Sequence, residues 1–237
     1  IFGIAIGIVL LPSLSKAIKN NDQKEIQTTQ NRSIEFCLLI SLPSAVGLYI
    51  LSKPIIYILF ERGAFLQEDT LYTANVLSMF ALGLPAYILI KVLVTCFFAR
   101  EDTKTPLYVS IVSVAVNIIL SLILIQSMRE TGIALATAIS AWLNTLLLYV
   151  LLKIRDNITL DSRLISNSVK TIICSIVMGV ACYFLNLALF ANMIIHNTII
   201  NIGTLIVAIA FCKIIYTVMI FMLKVITIDD LKGYIKK

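Results

Sequence analysis

Apolar runs near or above the ~20 residues that a helix needs to cross a bilayer core recur along this chain, and short charged islands separate them. That spacing restricts the architecture more than any single motif does. In hydrocarbon every unpaired backbone group is costly, so only helices or closed barrels can span. Barrel strands would alternate apolar and polar residues over ~10 positions, whereas these runs are continuous. The expectation is an all-α, polytopic transmembrane bundle. Composition agrees: 59% of the 237 residues are hydrophobic and 14% charged, with a mean hydropathy of +0.98.

The expected spans are 33–51, 71–98, 107–125, 132–152, 168–190 and 199–223, six in all, with 1–14 as a partial seventh. Residues 1–14 read as the last half of a helix whose start lies upstream, followed by a polar connector over 15–32. Pro43 is expected to kink the first complete span, with Gly47 one turn on. Residues 52–70 resemble an interfacial lip whose Glu61, Arg62 and Gly63 form a capped turn.

Lys and Arg divide unevenly between alternate connectors. One set holds thirteen of them (Lys16, Lys19, Lys24, Arg32, Arg100, Lys104, Lys153, Arg155, Arg163, Lys224, Lys232, Lys236 and Lys237) and the other three (Lys53, Arg62 and Arg129). Positive loops face the cytoplasm, which places the Arg100–Lys104 turn and the C-terminus there. The net charge of +6 then reflects topology and contact with anionic lipid rather than nucleic acid.

No catalytic constellation accompanies this pattern. The single histidine, His196, and Asn192 fall in the connector before the last span, and nearly all the acids sit between spans. The chain is not expected to be an enzyme or to carry a metal or other cofactor. The five cysteines lie inside apolar runs without ligand spacing and read as small hydrophobes.

Polar groups at membrane depth are the better lead, because each requires a partner or a cavity. Lys91 lies a few residues inside a helix end, where it either snorkels to headgroups or faces a cavity that attracts an anion. Arg32 and Glu35 are three apart and share a helix face, as an interfacial ion pair or a phosphate-binding mouth. Asn117 and Ser121 share one side of their span, with Thr137 on the antiparallel neighbour. They suit helix-to-helix hydrogen bonding or an oxygen-lined site for a monovalent cation. Asn144 and Thr145 read as packing polars.

Four segments carry a family resemblance: GIAIGIVLLPSLSKA, LPSAVGLYILSKPIIYILFERGAF, KVLVTCFFAREDTKTP and GIALATAISAWLNTLLLY. Together they resemble the MurJ/MviN family of lipid II flippases, within the multidrug/oligosaccharidyl-lipid/polysaccharide exporter superfamily. Residues 165–237 match it only in hydropathy. The resemblance implies a fourteen-helix, two-lobed transporter of the bacterial inner membrane. Such a protein moves undecaprenyl-linked peptidoglycan precursor outward by alternating access. This chain would be its second lobe, with the first lobe as a missing partner. Coupling to a monovalent cation or the membrane potential is an expectation separate from the resemblance. Two positions depart from the family pattern: Glu35 stands where an arginine often faces the cavity, and Thr95 where a proline is common. A non-transporting scaffold or remnant, and an exporter of another polyprenyl-linked glycan, are the alternatives.

Overall fold

A computed structural model of the chain describes residues 2–190 and 198–225. Its elements are all helical: α1 (Phe2–Lys19), α2 (Gln23–Ile50), α3 (Ser52–Phe60), α4 (Gln67–Phe98), α5 (Lys104–Ile154), α6 (Ser162–Phe190) and α7 (Thr198–Met222). Among the described residues, α2, α4, α5, α6 and α7 are long and apolar enough to cross a membrane. Asn192, His196, Lys232, Lys236 and Lys237 lie outside the described residues.

The polar stretch after α1 differs from the expected connector. α1 continues through Pro12 to Lys19, and α2 begins at Gln23 under a cap from Asp22, whose carboxylate accepts the Glu25 N–H at 2.9 Å. The link is thus residues 20–22, and the charged residues after it form the first turns of α2. The capping acceptor satisfies an otherwise orphaned donor and lets a polar sequence be helical outside the apolar layer.

α5 is 51 residues long, and a straight helix of that length would reach ~75 Å. It does not, because Arg155 Nη2 donates to Thr105 Oγ1 at 3.0 Å. The chain reverses at Arg129, the one residue in α5 with non-helical angles (φ 50°, ψ −134°). The two arms then run antiparallel, with Asn117 Nδ2 donating to Thr137 Oγ1 at 3.3 Å midway. Gly132 makes this reversal possible, since a Cβ there would stand 2.5 Å from the Leu124 carbonyl oxygen. Backbone cannot retreat as a side-chain tip can. Gly132→Val is therefore expected to splay the hairpin and lower stability by about 3 kcal/mol. A scanning thermal unfolding curve in detergent, set against Ile133→Val, checks this.

Packing places the largest core toward the end of the bundle that carries the basic turns. There Leu14 of α1, Cys37 of α2, Val92, Cys96 and Phe97 of α4, and Leu148 and Leu152 of α5 are buried together. All five cysteines are buried and free, as small hydrophobes would be. α4 packs against both α5 and α2, and the α6–α7 pair joins the rest through α2 and α3. Tyr216 of α7 fixes that junction by donating to the Leu39 carbonyl of α2 at 2.5 Å. Large apolar side chains point outward instead, among them Leu107, Ile111, Val114, Ile118 and Leu122 on the first arm of α5. An exposed apolar surface of this extent is a lipid-facing one.

At the opposite end, Arg62 Nη2 donates to the Leu59 carbonyl at 2.7 Å and closes α3. Glu61 accepts from the Thr70 hydroxyl at 2.6 Å, and Gly63 takes φ +62°. The capped turn read from FERG is present, and it holds the exposed Leu59, Phe60 and Leu66 at the lip.

Candidate functional site: a pinned basic end and the lysines inside the helices

The basic end is tied together by side chains reaching from helix to loop. Gln30 and Arg100 both donate to the Asn157 carbonyl, at 3.2 and 3.0 Å, and Asn31 donates to the Thr159 carbonyl at 2.9 Å. The α4–α5 turn and the α5–α6 loop are thereby held against α2. Gln30 and Asn31 are buried to 0% and 1% exposure. Polar groups so desolvated need these carbonyls, and they specify one register for the loop. Desolvation also draws the Arg100 guanidinium below its usual range.

Asp102 fixes the start of α5. Its carboxylate accepts from the Thr105 hydroxyl at 2.6 Å and the Thr105 N–H at 3.0 Å, and from Arg155 at 2.6 Å. The two Thr105 bonds, with Arg155 adding to them, hold its pKa at about 2 rather than the ordinary 3.8. A carboxylate whose pKa falls on folding contributes stability that is complete above its ordinary value and is lost as pH drops toward the folded one. The apparent melting temperature should therefore fall between about pH 4 and pH 2 by more in the native chain than in Asp102→Asn, which has no such proton to gain.

Arg32 and Glu35 enter a wider network than an (i, i+3) pair. One guanidinium nitrogen of Arg32 meets Glu35, and the other meets Asp161 at the start of α6. Glu35 also accepts from Asn167 and has Arg163 at 3.9 Å. Asn167 donates onward to the Val225 carbonyl, 3.3 Å away, just past α7. The Arg32 and Glu35 side chains are 19% and 12% exposed. Three elements meet on these two charges: α2, the start of α6 and the end of α7. What sequence reasoning missed was Asp161 and Asn167, because nothing in a linear reading puts residues about 130 positions away beside Arg32 and Glu35.

Asn117, Ser121 and Thr137 do come together. The Ser121 hydroxyl donates to Asn117 Oδ1 at 3.0 Å, and Thr137 in turn donates to the Ile133 carbonyl at 2.9 Å. The chain of bonds stitches the two arms of α5 across the apolar layer. Thr145 donates to the Ala141 and Ala86 carbonyls at 3.0 and 3.3 Å, and Trp142 Nε1 donates to the Leu82 carbonyl at 3.0 Å, so these join α5 to α4. No group of three or more His, Cys, Asp or Glu among the described residues is placed to hold a metal.

Lys91 stands apart from all of this. It is exposed on α4, with no hydrogen bond or ion pair for its ammonium among the described residues, and only its carbonyl is engaged, by the Thr95 hydroxyl at 2.8 Å. It shares one face of α4 with the exposed Phe80 and Phe98 and the half-buried Leu84, Tyr87 and Val94, at helical spacing. Lys170 and Lys213 are likewise inside helices, on α6 and α7. Subtracting the sixteen connector cations from nineteen leaves these three lysines, a signal that the sequence holds in plain view.

The comparisons with known proteins follow the same architecture. A family model described as lipid II flippase MurJ matches residues 1–204. A probable lipid II flippase MurJ of Rhizobium tropici is 44% identical over 186 residues, covering 78% of this chain and 35% of that protein. One of Rickettsia prowazekii is 41% identical over 180 residues, covering 76% and 36%. A solved lipid II flippase MurJ in an inward closed conformation superimposes with a TM-score of 0.72 at 27% identity, over 94% of this chain and 44% of that one. The chain thus spans about a third of the length of the curated relatives it matches. With 204 of its residues inside the family match and the same helical lobe in a solved member, this chain belongs to the MurJ family of lipid II flippases.

Proposed function

We propose that this chain forms one lobe of a transporter that moves lipid II, the undecaprenyl-linked peptidoglycan precursor, across the bacterial inner membrane. The observation that carries the reading is a helical lobe, pinned at its basic end, with an exposed lysine on α4 whose ammonium has no partner among the described residues. A sugar-bearing pyrophosphate cannot enter hydrocarbon unaided. A polar passage between two lobes shields it while the polyprenyl tail stays in lipid, and rocking of the lobes opens the passage to each side in turn. In this reading the other lobe is supplied by sequence or a partner outside the chain, and the basic end lies in the cytoplasm.

Lys91 is the first residue to meet the precursor phosphate. Arg32 reaches phosphate only by releasing Glu35 or Asp161, so those carboxylates set how readily it exchanges partners. Asn117, Ser121 and Thr137 offer oxygens for a coupling cation, and the membrane potential is the other source of drive. The test is a chimera in which this chain takes the place of the segment it matches in the Rhizobium tropici relative. Expressed in cells depleted of their own flippase, the chimera should restore growth. An inserted, folded chimera that leaves cells lysing would favour the alternative of a non-transporting scaffold.

A further inference from the structure

Of Lys91, Lys170 and Lys213, Lys213 is the deep one. It lies three residues from the midpoint of α7, or ~4.5 Å along the axis. A hydrocarbon core extends ~15 Å either side of its centre, and a lysine stem reaches only about 6 Å, so snorkelling falls short of the headgroups. Lys91, eight to nine residues from the midpoint of α4, sits ~13 Å out and can snorkel. Lys170 is six residues, ~9 Å, from the midpoint of α6 and can do the same. Lys213 is exposed, and its ammonium has no partner among the described residues; only its carbonyl is bonded, by the Thr217 hydroxyl at 2.8 Å. No acid among the described residues is paired with it. Glu35 is the one acid within the described apolar layer, and it is already shared by Arg32, Arg163 and Asn167. The family match ends at residue 204, so it assigns this lysine nothing.

We propose that Lys213 is a contact for the phosphate of a lipid brought into the membrane interior along α7. A phosphate meets its highest barrier at mid-depth, which is where this ammonium stands. Transported lipid-linked pyrophosphate and a bilayer phospholipid offer the same chemistry. The first of these rests on the function proposed above and would make Lys213 a contact made during transport rather than at entry. A carboxylate on another protein's helix would also satisfy a buried ammonium, but relatives named for flipping a phosphate-bearing lipid favour the phosphate.

The chimera described above, purified and reconstituted in phosphatidylethanolamine and phosphatidylglycerol vesicles, separates these cases through Lys213→Met and Lys213→Arg. Met keeps the length of the stem and removes the charge, so folding should be unharmed. Native mass spectrometry should show lipid II retained by the native chimera and by Lys213→Arg, and lost from Lys213→Met. Transport of lipid II should fall about tenfold or more in Lys213→Met alone. Retention of phosphatidylglycerol but not lipid II, lost in Lys213→Met, keeps the phosphate contact and makes it a resident lipid site. Retention without transport by the native chimera sinks the flippase reading and leaves the contact standing. Equal retention of both lipids by Lys213→Met and the native chimera overturns the inference, as does a crosslinker at Thr217 that captures an acid-bearing protein helix instead of lipid.

Discussion

Replacing Glu35 with alanine is expected to lower the apparent melting temperature by about 6–12 °C, because removing one partner of a largely buried ion pair costs about 3 kcal/mol and each kcal/mol shifts a domain of this size by ~2–4 °C. The loss has three parts. Arg32 keeps only Asp161, Asn167 loses its carboxylate acceptor, and Arg163 loses the Glu35 carboxylate. α6 and α7 should loosen from α2 first, since Asn167 is the step that links Glu35 to Val225. Hydrogen exchange of the 161–175 and 216–225 amides measures this directly. Glu35→Gln preserves the hydrogen bond from Asn167 and should recover about half of the loss. A melting temperature within 1–2 °C of native for Glu35→Ala, on the scale just given, would mean that the network is exposed enough for water to replace it.

Lys91→Ala is expected to reduce lipid II transport by the chimera about tenfold or more without changing its melting temperature. No bond among the described residues depends on the Lys91 ammonium, so an unchanged melting temperature separates a loss of transport from misfolding. Lys91→Arg should keep most of the activity, since the attraction to phosphate is electrostatic and the position is exposed. Arg32→Ala makes the contrast: it removes the cation that joins α2 to Asp161 and should lose stability and transport together. Should Lys91→Ala transport at the native rate, its charge serves only to meet headgroups at the membrane edge.

The helical, membrane-spanning character of the chain was legible because hydrocarbon admits few backbone solutions and the apolar runs are uninterrupted. The capped turn at Glu61–Gly63 was legible for a local reason, a glycine at a backbone angle few other residues accept. The extent of α2 was not, since polarity alone does not say whether a charged segment leaves the helix or only leaves the bilayer. Asp22 decides that through a single cap. Ser121, Asn117 and Thr137 could be grouped beforehand, because a short turn between two spans sets their register. Asp161 and Asn167 could not, because their approach to Arg32 and Glu35 depends on how α6 packs against α2. Lys213 was missed for another reason: Lys91 was singled out by its distance from a helix end, whereas depth relative to the helix midpoint singles out Lys213.

Lipid II movement across reconstituted vesicles, followed by protection of the headgroup from an added hydrolase, tests the central claim most directly. The chimera carrying this chain should expose precursor on the far leaflet well above protein-free vesicles, and Lys91→Ala should return it close to that baseline. A folded, reconstituted native chimera that moves no precursor would contradict the claim and reduce this lobe to a membrane scaffold with a transporter's fold.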